Sequence, residues 1–121
     1  MITAHAQAFL IIVGVLTAGI LAFCIAPDAL VKRIFGEDLT PSGRLITRHW
    51  GLLIGGVGVL LILAAFHPAT RGPILVFAVV EKLAIAGLVL ASPFRHRALP
   101  TLIAAADALM ALVCIAILAG L

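Results

Sequence analysis

Charge is what this chain has least of: thirteen of its 121 residues are charged, eight basic and five acidic. A soluble domain carries about a quarter charged residues, because its surface has to be wetted. With 64% hydrophobic residues the chain cannot cover a water-exposed globule. That speaks against a soluble enzyme, a nucleic-acid partner and a disordered chain, in spite of a net charge of +3. Aromatic residues are also scarce, with one tryptophan, six phenylalanines and no tyrosine, which argues against a site lined by rings. The two cysteines, Cys24 and Cys114, form neither C-x-x-C nor Cys/His spacing, so no zinc or redox motif is supported. Both read as small apolar fillers. Ser42 and Ser92 fall in a turn and at a helix end, which leaves no serine–histidine–acid set. The glycines from Gly51 to Gly58 lack the Lys-Ser/Thr ending of a nucleotide loop.

What the chain has instead is four apolar runs, each long enough for the ~30 Å hydrocarbon core that about 20 helical residues cross. They cover about 6–26, 46–66, 73–91 and 100–121. Prolines punctuate them: Pro27, Pro68 and Pro93 lie just past the ends of the first three, and Pro73 and Pro100 open the third and fourth. A membrane barrel would need at least eight short alternating strands. In lipid a helix satisfies every backbone group within its own segment. The fold class expected is therefore all-α, a single four-transmembrane-helix bundle. The first run lacks a basic leader and an A-x-A exit, so it reads as a retained helix rather than a signal peptide.

Basic residues set the orientation. Lys32, Arg33, Arg44 and Arg48 connect runs one and two, and Arg95 and Arg97 connect runs three and four, whereas the opposite side holds only Arg71. The sequence thus predicts a multi-pass protein of a bacterial inner membrane with both termini outside the cytoplasm. Between the first two runs, residues 28–36 carry Leu30, Val31, Ile34 and Phe35 on one stripe, with Lys32 and Arg33 off it. This is the pattern of a short amphipathic helix lying in the interface. Residues 37–43 read as an exposed turn. Trp50, Phe35 and Phe94 fit an interfacial belt.

Helix association in lipid relies on small residues that permit close approach. Gly51 and Gly55 form a G-x-x-x-G face on the second helix and the fourth is rich in alanine, so these two are expected to form the central pair. The glycine face could equally serve a homodimer.

Three charges fall inside the spans: Glu81 and Lys82 in the third helix and Asp107 in the fourth. Each needs a partner, water or a proton. At about 1.5 Å per residue, Lys82 lies about 13 Å and Asp107 about 10 Å from the basic end, so the two are level and should pair. Glu81, roughly 100° around the helix from Lys82, faces elsewhere, toward the bundle centre and the second helix. Arg48 and His49, reaching in from the basic end, would complete a polar cluster. That cluster reads either as an ionic staple fixing helix register or as a ligand or proton site. Bis-histidine haem would need two facing imidazoles inside the bundle, and His5, His67 and His96 sit at helix edges or in loops. No cofactor is predicted; haem and quinone stay as weaker alternatives.

The layout resembles the DoxX-like group of small bacterial four-helix membrane proteins. The resemblance rests on Ala26-Pro27-Asp28 closing an uncharged first helix, the amphipathic stretch ending at Phe35-Gly36, Arg48-His49-Trp50-Gly51 opening a glycine-rich second helix, and Glu81-Lys82 central in the third. It implies the fold and no agreed activity, with quinone-linked redox complexes as an association of some relatives. Three functional readings follow. The leading one is a small membrane protein acting by binding or assembly, as an accessory subunit or homo-oligomer among membrane lipids. The second is a proton-coupled carrier using Glu81 or Asp107. The third, an enzyme or redox subunit acting on a quinone or lipid, is the least favoured.

Overall fold

The computed structural model describes residues 2–121, the side chain of Thr3 excepted. Among the described residues the fold is carried by five helices, joined by short 3-10 turns and loops. The first, α1 (Ala6–Ile25), tightens into a 3-10 turn at Gly19–Leu21 before resuming at Ala22. It is followed by α2 (Pro27–Phe35), α3 (Pro41–Phe66), α4 (Arg71–Leu90) and α5 (Ala98–Leu118). Helices α1, α3, α4 and α5 are each long and apolar enough to cross a membrane. Large side chains such as Ile12, Leu16, Leu53, Phe77, Leu88 and Leu112 lie exposed on their outer faces, where lipid would meet them. The chain is an all-α, multi-pass membrane bundle.

Capping explains the boundaries. Proline at the first position and Asp28 in the first turn suit the start of α2. The helix stops at Gly36, whose φ of +75° is the left-handed conformation that glycine adopts without strain. A side chain there would also strike the Arg97 guanidinium, which donates from Nε to the Ile34 carbonyl at 3.3 Å. Val31 is buried, Leu30, Ile34 and Phe35 are half-buried, and Lys32 and Arg33 are exposed, so α2 is amphipathic as expected. The turn expected over 37–43 is shorter than that. Thr40 Oγ1 accepts from the Gly43 amide at 3.0 Å and Pro41 takes the first helical position, so α3 begins inside the stretch whose proline, serine and glycine resemble a turn. At the far end of α3, Arg71 donates from Nε to the Ala64 carbonyl and from Nη2 to the Ala65 carbonyl, both at 2.8 Å. The one basic residue of the terminal side is therefore a cap on carbonyls that lack a helical partner.

The central pair differs from the expected one. Gly51, Gly55 and Gly58 of α3 all face α1, not α5. An added Cβ on Gly51 would lie 2.7 Å from the Cys24 nitrogen, one on Gly55 would strike Leu21, and one on Gly58 would strike the Ala18 backbone. Gly14 reciprocates, pressing on Ile62 and the Gly58 carbonyl. The glycine face is thus used within the chain. Helix α5 packs instead along α4, and the α1–α3 and α4–α5 pairs join mainly through α3 and α4. Small residues permit close approach without specifying the partner, and the shortest route from α1 through α2 returns the chain against α1 itself.

The two halves of the bundle differ. Toward the termini, Leu10, Val13, Leu61, Leu75, Ala78 and Cys114 form one buried apolar cluster. The Ile2 amide donates to the Leu121 carbonyl at 2.8 Å, so both ends of the chain meet on that side. Toward the basic loops the packing is thinner, with only Ala86, Val89 and Ala104 in a second cluster.

Candidate functional site

Three helices bring their polar residues to one level. Counting about 1.5 Å per residue from the basic ends of their helices, Thr17 lies ~12 Å deep, Lys82 ~12 Å and Asp107 ~13 Å. Lys82 Nζ donates to Asp107 Oδ1 at 3.1 Å and to Thr17 Oγ1 at 2.7 Å. Lys82 is 1% exposed and the Asp107 side chain 15%. The ammonium therefore links α4 to both α5 and α1. A buried charge paired and hydrogen-bonded in this way avoids most of the penalty that an isolated one would pay. Thr17 is a member that the expected cluster lacks. Its signal in the sequence is a lone hydroxyl within an otherwise apolar stretch of α1, and the depth count that pairs Lys82 with Asp107 reaches it too.

Glu81 points away from this triad's bonds. Its Oε2 is buried, and among the described residues it is the only buried side-chain oxygen or nitrogen without a hydrogen-bond partner. Glu81 and Asp107 both stand on the wall of a cavity of about 220 Å³ in the basic half of the bundle. Its other walls include Leu16, Thr17 and Phe23 of α1, Phe35 of α2, Trp50 and Ile54 of α3, and Met110 of α5. Three rings therefore face one hollow, in spite of the low aromatic content. Phe23 and Trp50 meet edge to face at 5.0 Å, and Phe35 meets Phe94 in the same way at 5.1 Å. A second hollow beneath α2 shares Phe23, Phe35, Trp50 and Ile85 with the first and reaches Glu37 and Phe94. Four of the seven aromatic residues, Phe23, Phe35, Trp50 and Phe94, gather at the level where α1, α2, α3 and the α4–α5 loop converge.

Arg48 and His49, expected to complete the cluster, are exposed on α3 and make no contact with Glu81. The helix turns their positions outward, and Trp50 rather than either of them lines the cavity. Arg48 instead adds its charge to the surroundings of Asp28. There the Arg44 guanidinium, donating from Nε to Asp28 Oδ2 at 2.8 Å, holds the Asp28 carboxyl below the usual carboxylate range and ties α2 to α3. Cys24 and Cys114 are both free thiols, and no group of three metal-ligating side chains occurs among the described residues.

Fold and site together define a small four-helix membrane bundle with a hollow, carboxyl-bearing half. No family model matches the chain, and no curated protein or solved structure matches it either.

Proposed function

We propose that this chain is a small integral membrane protein that acts by binding, holding a lipid-soluble molecule with a hydrogen-bond-donating head in the cavity beside Glu81. The observation that carries this reading is the buried, unpartnered Glu81 Oε2 on a wall that is apolar and aromatic apart from Thr17 and Asp107, both of which are bonded to Lys82. An acceptor buried without a partner costs about 1–3 kcal/mol, and a ligand donor would remove that cost. Ligand sites commonly combine apolar walls with a few polar groups that fix orientation. A quinol meets the requirement through its hydroxyls; an oxidised quinone, which only accepts, does not. Kinship with the DoxX-like group stays a proposal resting on layout and adds a fold without an activity.

The test uses Trp50, the chain's only tryptophan, which stands on the cavity wall. Its fluorescence is expected to change saturably when purified protein in a fixed detergent is titrated with 4-phenylbutan-1-ol. The headless butylbenzene should bind at least several-fold more weakly. A response that rises linearly for both compounds, as simple partitioning into the micelle would give, removes the reading.

The proposed setting is a bacterial inner membrane with the basic loops in the cytoplasm, supported by six basic residues on one side against Arg71 on the other. A periplasm-active phosphatase fused after Leu121 is expected to be active, and a reporter that fluoresces only in the cytoplasm to be dark at the same junction. The opposite pattern reverses the orientation.

A further inference from the structure

The cavity's charge does not balance. Away from the helix ends the spans carry Glu81, Asp107 and Lys82, two acids to one base. Lys82 is directed to Asp107 and Thr17. No other helix on the cavity wall supplies a counter-charge: α1 presents Thr17, Ile20 and Phe23, α2 presents Phe35, α3 presents Trp50 and Ile54, and the one charged residue that α5 presents is Asp107, itself an acid. Arg48 is exposed, away from this wall. An uncompensated carboxylate at this depth calls for one positive charge, carried by a proton or by a ligand. Phe23, Phe35 and Trp50 on the same wall add aromatic rings, a residue type that attracts an organic cation more strongly than a neutral molecule of the same shape.

We infer that the cavity takes a lipophilic monovalent cation, an ammonium on an apolar tail, and that this cation and a proton compete for Glu81. The inference rests on the binding reading given above and narrows it to one ligand class. The tail lies among the aromatic and aliphatic walls, and the ammonium donates to Glu81 Oε2. Protonation of Glu81 neutralises the same excess charge and removes the acceptor's pull, so cation and proton exclude each other. The chemistry is pure exchange, with one proton leaving as one cation enters.

A matched pair of probes separates the two levels of the proposal. 4-Phenylbutylamine, protonated at any pH below about 9, and 4-phenylbutan-1-ol share shape and a donating head and differ in charge. In Trp50 titrations at pH 8 the ammonium is expected to bind at least tenfold tighter than the alcohol. Its apparent affinity should fall as the pH is lowered to 5, by up to tenfold per unit once Glu81 is protonated, while that of the alcohol does not fall. Glu81→Gln should abolish the preference and its pH dependence, and Glu81→Asp, which keeps the charge, should retain both. Equal affinity for the two probes, or ammonium binding that ignores pH, overturns the cation inference and leaves the cavity reading standing. Saturable binding of neither probe removes both. If Glu81→Gln fails to fold, the wild-type pH series and Glu81→Asp decide the question.

Discussion

Replacing Lys82 by methionine is expected to destabilise the protein by about 3–5 kcal/mol, the range seen when one partner of a buried ion pair is removed. The volume is nearly kept, so little of the loss comes from packing. What is lost is the cation that holds Asp107 at 3.1 Å and Thr17 at 2.7 Å, leaving a carboxyl that is 15% exposed and a buried hydroxyl to find other partners. Asp107→Asn should also be costly, because it leaves an ammonium that is 1% exposed without its counter-ion. The double variant carries neither charge and should recover much of the loss, since a neutral replacement for a buried pair is often tolerated. Unfolding of all four proteins in one detergent gives the coupling. A value near zero would mean that the pair does not hold α4 to α5.

The second large effect is at Gly58. A methyl group there would strike the nitrogen and Cα of Ala18, which are helix backbone and cannot swing aside. Gly58→Ala must therefore push α1 away from α3, at an expected cost of about 1–3 kcal/mol, as for other overpacked contacts. Ala18 is the neighbour of Thr17, so the same displacement should draw the hydroxyl from Lys82 and disturb the cavity wall. Gly56→Ala is the control. It lies two residues away on the same helix with nothing within 4 Å of its added methyl, and its effect should stay within about 1 kcal/mol, the span of helix propensity. Equal melting shifts for the two variants would contradict the packing described.

The contrast between these glycines marks where sequence reasoning reaches and where it stops. Depth along a helix is a property of one segment, so the shared level of Lys82 and Asp107 is legible in the residue order alone, and so is the divergence of Glu81 from Lys82. Thr17 lies within reach of the same count, but it bears no charge, and a hydroxyl that can bond to its own helix does not demand a partner as an ammonium does. Which helix meets the glycine face depends on how two segments rotate about their axes. Gly51 and Gly55 announce close packing but not their partner. Arg48 and His49 escape prediction for the same reason: one residue of rotation decides whether a side chain faces the bundle or leaves it, and Trp50 takes the inward position. The cavity itself has no sequence signal, because a void is set by how side chains from several helices fail to meet.

The unequal halves of the bundle bear on how any occupant travels. Leu10, Leu61 and Leu75 have no exposed surface and belong to the packed core of the terminal half. The hollow in the basic half is less closed, with the exposed Leu16 and Ala106 on its wall. Opening a passage between α1 and α3 would mean parting contacts where Gly14 and Gly58 already touch backbone, while keeping the Lys82 link to Thr17. The least sealed side of the hollow is instead between α1 and α5, where Leu16 and Ala106 stand both on its wall and on the outer face of the bundle.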